Sequence, residues 1–447
     1  MYSEMEVDAR WKNANGSIQP PLVMFIVSLM LFSMVYGFFA NRYNWFPASV
    51  INNAVFAFHQ ISNPDSDWTI TGTDKTELVT VAKADLMAPG LTKIVNVEAD
   101  RSLAVKVINS GGEVLHRWKI EWQDIWPQSP DYLKEPEIPK ERPGTHIHGA
   151  QILANGDLVF NFEHLSLVSL DPCGNLNWKL PYRTHHSVFI DDDENIWVSA
   201  QRDHEAPIPE LPLIQPGFIE PVLLKVSPQG EILLEKSVFD LLIDNRLQGA
   251  LYANSIENDF PYVKGDMFHL NDVEVFTGDK KEGFFKKGDV MISLRNINTV
   301  FVFNSDWEIK YQMSYEFVRQ HDPDFFDGNT ITLFDNNNVD SDAKKSHSRI
   351  LGKNAISGET RVLFKGNREV PFYSNIMGKH QWLPNGNLLI NEWMGRAIEV
   401  TPGGELAWEY NTIVSPGKLG LTEEAERLPQ QFNEEYFKNI KEECGKP

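Results

Sequence analysis

Residues 148–180 read HGAQILANGDLVFNFEHLSLVSLDPCGNLNWKL. Two apolar runs flank Asn155-Gly156, a pair suited to the left-handed backbone of a tight hairpin. Pro172-Cys173-Gly174-Asn175 marks a further turn before LNWKL. One such unit therefore holds four short strands. A lone four-stranded sheet cannot bury both faces, so copies must stack beside it.

Copies are present along the chain. HSVFIDDDENIWVSA starts at His186 and continues, after a proline-rich insertion, as LLKVSPQGEILLEKS. HLNDVEVF starts at His269 and leads to GDVMISLRNINTVFVFNSDWEIKYQMS. HDPDFFDGNTITLFDNNN starts at His321, and HQWLPNGNLLINEW at His380. An earlier copy without the histidine, LTKIVNVEADRSLAVKVINSGGEVLHRWKI, makes a sixth unit. The expectation is an all-β fold, a six-bladed β-propeller of four-stranded blades, preceded by one N-terminal transmembrane helix. Stacked sandwiches would use the same strands but leave the recurring histidine unexplained.

The helix is expected at residues 22–40, LVMFIVSLMLFSMVYGFFA, which carry no charge. At 1.5 Å per residue they span roughly 28 Å, about one hydrocarbon core. Tyr36, Phe38, Phe39, Tyr43, Trp45 and Phe46 read as an interfacial aromatic belt. A cleaved signal would have a shorter apolar run followed by small residues. Arg10 and Lys12 before the helix give a weak bias toward an inside N-terminus. The chain thus reads as a short segment (1–21), an anchor in the lipid bilayer (22–40), a connector (41–88), a propeller (89–415) and a charged tail (416–447). Within that tail LTEEAERLPQQFNEEYFKNIKEE is expected to be helical. The main domain is expected on the periplasmic or another extracytoplasmic side, and a membrane-protein partner or a homo-oligomer is compatible with the anchor.

The net charge of −21 argues against nucleic-acid binding, which needs a positive footprint for phosphate. Two cysteines, Cys173 and Cys444, make no disulfide framework, and pairing them would need the tail to dock back. They leave the redox compartment open.

In a propeller the innermost strand of each blade lines the axis. His148, His186, His269, His321 and His380 occupy matching places in five units, so their imidazoles are expected to converge at one end of the channel. Imidazole can act as base, acid, nucleophile or metal ligand near neutral pH. Arg295, in ISLRNINTV on the second strand of its unit, would repel a divalent metal and suit a sulfate or phosphate oxyanion. Anion chemistry on a histidine nucleophile, a histidine-bound metal, and a docking module without activity all remain open on these residues.

THHSVFIDDDENIWV, DMFHLNDVEVF, SLRNINTVFVFN and QHDPDFFDGNTITLFDNN, in this order along the chain, resemble segments of the bacterial arylsulfotransferase family. The resemblance covers about residues 90 to 415. It implies an aryl sulfate donor, a phenolic acceptor and no cofactor. It implies His321 as the nucleophile that becomes a sulfohistidine. Arg295, Asn271 and His269 would stabilise the sulfuryl oxygens, and His186 would move the phenol proton. His148, His380 and the neighbouring His185 are expected to contact substrate, the first two by repeat register alone. No metal is expected.

Overall fold

The computed structural model describes residues 20–42, 68–71, 73–255, 260–340 and 347–445, and it divides into two units, Met1–Asp67 and Trp68–Pro447. In the first, helix α1 (Pro20–Arg42) is apolar around its whole circumference. Residues Pro20–Ala40 are long and apolar enough to cross a membrane. Large side chains such as Met24, Phe32 and Phe38 are exposed along it. The segment before Pro20, with Arg10 and Lys12, lies outside the described residues, as do Tyr43, Trp45 and Phe46.

The second unit is built from antiparallel sheets. Sheet 2 is the unit read first from the sequence: Ile147–Ile152, Leu158–Phe162, Ser166–Leu170 and Leu176–Leu180, hydrogen-bonded in that order. Gly156 in its first hairpin has φ 93°, as the Asn-Gly turn requires. Sheets 3 to 6 begin with Thr184–Ile190, Leu270–Val275, His321–Phe325 and Lys379–Trp382 and repeat the pattern.

Alternation along the strands explains the stacking. In sheet 2, Leu158, Phe160 and Phe162 pack toward sheet 1, with Val105 and Trp118. Val159 and Leu167 point the other way, onto Val198 and Leu224 of sheet 3. Equivalent apolar layers fill the gaps from sheet 3 to 4, 4 to 5, 5 to 6 and 6 back to 1. The first strand of each sheet packs against the first strand of the next. The arrangement is propeller-like.

Sheet 1 contains the main departure from the sequence reading. Its first strand is Thr422–Arg427, from the stretch expected to be helical; it pairs with Thr92–Val97, with Ala425 opposite Ile94. An open sheet edge outweighed local propensity. The glutamates of this strand meet buried cations. Lys93, fully buried, has its ammonium 2.9 Å from Glu424 and also bound to Glu426 and to the Ala150 carbonyl. Lys379 lies 3.0 Å from Glu424 on another side.

Only Glu434–Cys444 is helical (α2), started by Asn433, whose side chain accepts from the Tyr436 N–H. The tail does dock back: Phe437 is buried against sheets 1 and 2, and Cys444 is disulfide-bonded to Cys173. Part of the expected connector also belongs to the sheets, since Val79–Ala82 pairs with Leu406–Asn411 at the outer edge of sheet 6.

Candidate active site

His148, His186, His321 and His380 sit on the first strands and His269 directly before one, and four of these five ladders are irregular. Register shifts occur beside them in sheets 2, 3, 4 and 5, between Ile147 and Ala150, His185 and Val188, Leu270 and Asp272, and His321 and Asp324. Bulges re-aim side chains. His186 and His269 also adopt left-handed backbone, with φ 58° and 53°, an uncommon state for histidine. Gly149, next to His148, lets the two strands approach: a Cβ there would lie 2.3 Å from the His186 carbonyl oxygen.

The result is a cluster. The rings of His148 and His186 are 3.9 Å apart. His186 meets His269 at 3.1 Å through their Nε2 atoms and His185 at 2.8 Å through their Nδ1 atoms. The His321 ring is 6.4 Å from that of His186. His380 does not join them. Its strand pairs with the next without a register shift, and nothing re-aims the side chain. Its Nδ1 lies 2.8 Å from Asp322 and its Nε2 2.8 Å from the Thr332 hydroxyl. It lines a separate cavity of about 160 Å³ with Asp272, Glu274, Asp322 and Asp324.

His321 is 3% exposed. Its Nδ1 lies 2.6 Å from Asn336 Oδ1 and 3.1 Å from the Arg319 carbonyl, both acceptors, so Nδ1 carries the proton. The Asn336 amide is fixed by donating to the Ser374 and Met377 carbonyls. Among the described residues, His321 Nε2 is buried without a hydrogen-bond partner. Burial, followed by the Arg295 charge, holds this imidazole well below its ordinary pKa. A neutral ring with a free Nε2 lone pair has the chemistry to act as a nucleophile.

Arg295 opens a short 3-10 turn just after the strand Val290–Leu294, not on the strand as expected. Its N–H donates to the His269 carbonyl at 3.0 Å, which ties the arginine to that histidine. Burial, then the neighbouring Arg319, push its pKa down to about 10. Asn271 differs from expectation: its amide donates to the Gln320 carbonyl at 2.7 Å, immediately before His321. Asn161 and Asn391 make the same sheet-to-sheet tie, to the His186 and Thr422 carbonyls.

Several members of the site escaped the sequence reading. Asp266 binds His269 Nδ1. His185 and His186 are held well below their usual pKa by burial first, then by His164 and His148 respectively. His146 lies between Glu163 and Glu423, with Nδ1 2.8 Å from Glu423. Burial alone would lower His146, but those two carboxylates override it and raise the pKa well above its ordinary value. Glu163 also accepts from His148 Nδ1 at 2.9 Å. The histidine two positions before His148 was a visible signal; the glutamates were not, because Glu163 comes from a turn and Glu423 from the strand Thr422–Arg427, far along the chain. Among the described residues, two groups have donor atoms within 4.8 Å of one another and could hold a metal: His146, His148 and Glu163, and Asp322, Asp324 and His380.

Residues 149–412 match the model of the arylsulfotransferase (ASST) family. The chain belongs to the arylsulfotransferase family. Membership supports a sulfotransferase-like function. No curated protein matches this chain. Among solved structures it is similar to a protein of unknown function from Bacteroides caccae (12% identity, 74% of this chain and 99% of that one, TM-score 0.47). It is also similar to virginiamycin B lyase from Staphylococcus aureus (13%, 61% and 72%, 0.36) and to BamB from Moraxella catarrhalis (9%, 79% and 98%, 0.33).

Proposed function

We propose that this chain is a membrane-anchored, six-bladed propeller enzyme that moves a sulfuryl group from an aryl sulfate to a phenol through a sulfohistidine at His321. No nucleotide sulfate donor is needed. The observation that carries the reading is the free, buried Nε2 of a neutral His321 beside Arg295. Attack by Nε2 on sulfur forms an N–S bond and expels a phenolate; a second phenol then takes the group back. Dividing one transfer in two gives ping-pong kinetics.

Arg295 and His269 stabilise charge on the sulfuryl oxygens. Asn271 positions the backbone leading into His321. His186 has a histidine at each ring nitrogen and orders the cluster. His148 and His185 border the substrate, while His380 lines the other cavity. Residues 20–42 anchor the enzyme in the bilayer, and the Cys173–Cys444 bridge supports an oxidising, extracytoplasmic compartment such as the periplasm.

The test uses detergent-purified protein, a chromogenic aryl sulfate, and a phenol acceptor added or omitted. Acceptor-dependent phenolate release, lost in His321→Ala, is the expected result. Release that ignores the acceptor and follows bound metal would replace this reading with hydrolysis at a metal held by His146, His148 and Glu163. No release from folded protein across several donors would favour a docking module for a membrane-protein partner.

A further inference from the structure

We propose that His148, oriented by Glu163, is the catalytic acid and base that serves the phenol oxygens; the inference rests on the sulfotransfer reading above. In-line displacement places the nucleophile and the leaving oxygen on opposite sides of the transferred atom, as in phosphoryl transfer. His321 lies on sheet 5. Counting around the ring of packed sheets in either direction, the opposite sheet is sheet 2, which carries His148. His148 and His321 line the same small cavity, together with His186, Asn271 and Glu423.

The hydrogen bonds separate His148 from its neighbours. His186 has a histidine against each ring nitrogen, and His269 has Asp266 on one side and His186 on the other. Neither can meet a phenol oxygen without breaking an existing bond. His148 gives Nδ1–H to Glu163, and among the described residues its Nε2 has no hydrogen bond; Glu423 Oε2 lies 4.0 Å from it. Glu163 is itself gripped by His146, which Glu423 holds from the other side. A carboxylate so anchored fixes the tautomer of His148 and stabilises its imidazolium, the arrangement that serves a serine–histidine pair.

The proton balances over one cycle. In the donor half, the His321 Nε2 lone pair forms the N–S bond while the S–O bond to the aryl group breaks. The departing oxygen keeps that electron pair and takes the proton from His148 Nε2. In the acceptor half, the incoming phenol returns a proton to His148 Nε2 and its oxygen forms the new O–S bond. The N–S pair goes back to His321. Glu163 is a positioning residue throughout.

The experiment compares donors whose phenols differ in acidity, 4-nitrophenyl sulfate and unsubstituted phenyl sulfate, in the parent enzyme and in His148→Gln, Glu163→Gln and His186→Gln. The weaker leaving group needs the proton most. We expect His148→Gln to lose on the order of 10²-fold or more with phenyl sulfate and at least tenfold less than that with 4-nitrophenyl sulfate. Glu163→Gln should show the same bias in smaller degree, and His186→Gln should lose an equal factor with both donors. Added imidazole should restore part of the phenyl sulfate rate to His148→Ala. Equal losses with both donors in a folded His148→Gln, or a leaving-group bias found in His186→Gln instead, would overturn the assignment. A parent enzyme without acceptor-dependent transfer would overturn the sulfotransfer reading, and this proposal with it.

Discussion

His321 Nδ1 stands 2.6 Å from Asn336 Oδ1, and the opposite nitrogen of the same ring has no partner. The two facts are linked. Asn336 is fixed through its NH₂ to two carbonyls, so its oxygen can only accept, which places the proton on Nδ1 and the lone pair on Nε2. Asn336→Asp would set a carboxylate there and favour imidazolium. The expected outcome is that the acid limb of the donor half-reaction moves to higher pH. Stopped-flow phenolate bursts across pH would check it.

The unaltered enzyme has its own pH signature. Burial and Arg295 depress the His321 pKa, so the ring stays neutral as pH falls through the ordinary histidine value near 6.5. With 4-nitrophenyl sulfate, the burst rate should hold below pH 6.5 and decline only in more acid solution. An apparent pKa at 6.5 or above for the nucleophile would contradict the site described.

Arg295→Met removes a permanent cation from beside the nucleophile. Two effects should appear together: the donor half-reaction slows on the order of 10²–10³-fold, and its acid limb shifts upward because repulsion of imidazolium is relieved. A slower burst with an unmoved limb would place Arg295 away from His321 in the working enzyme.

Lys93 joins the closing strand to sheet 1 through Glu424 and Glu426 with no exposure to solvent. Replacing it by methionine takes the cation from Glu426 and leaves Glu424 with Lys379 alone. Lys93→Met should cost about 3–5 kcal/mol of unfolding free energy, read from urea titration of the detergent-purified protein.

The Cys173–Cys444 bridge fastens the terminal helix to a turn of sheet 2. Cys444→Ser should lower stability by about 2–4 kcal/mol and remove the mobility shift on non-reducing gels. Reductant should then leave the melting temperature of the variant unchanged, while lowering that of the parent.

Much was legible because repeats are local signals. Each hairpin of sheet 2 follows from its own turn residues, and alternation in Leu158–Phe162 serves two neighbouring sheets at once. The histidines were legible as a set through their shared place in each unit. His380 was misplaced for the same reason: shared register says which strand a residue begins, not whether a bulge turns it.

The sequence by itself determined the hairpin pattern of the repeats, turn positions, the apolar helix and the histidine register, since these depend on backbone chemistry within a few residues. Only tertiary structure decided that Thr422–Arg427 is a strand, because its partner Thr92–Val97 lies at the far end of the chain. It also decided which imidazole nitrogen is free. That depends on acceptors such as Asn336, Asp266 and Glu163, which reach the histidines from later or earlier turns of backbone. Hydrogen bonds made across a closed ring leave no periodic trace in the chain.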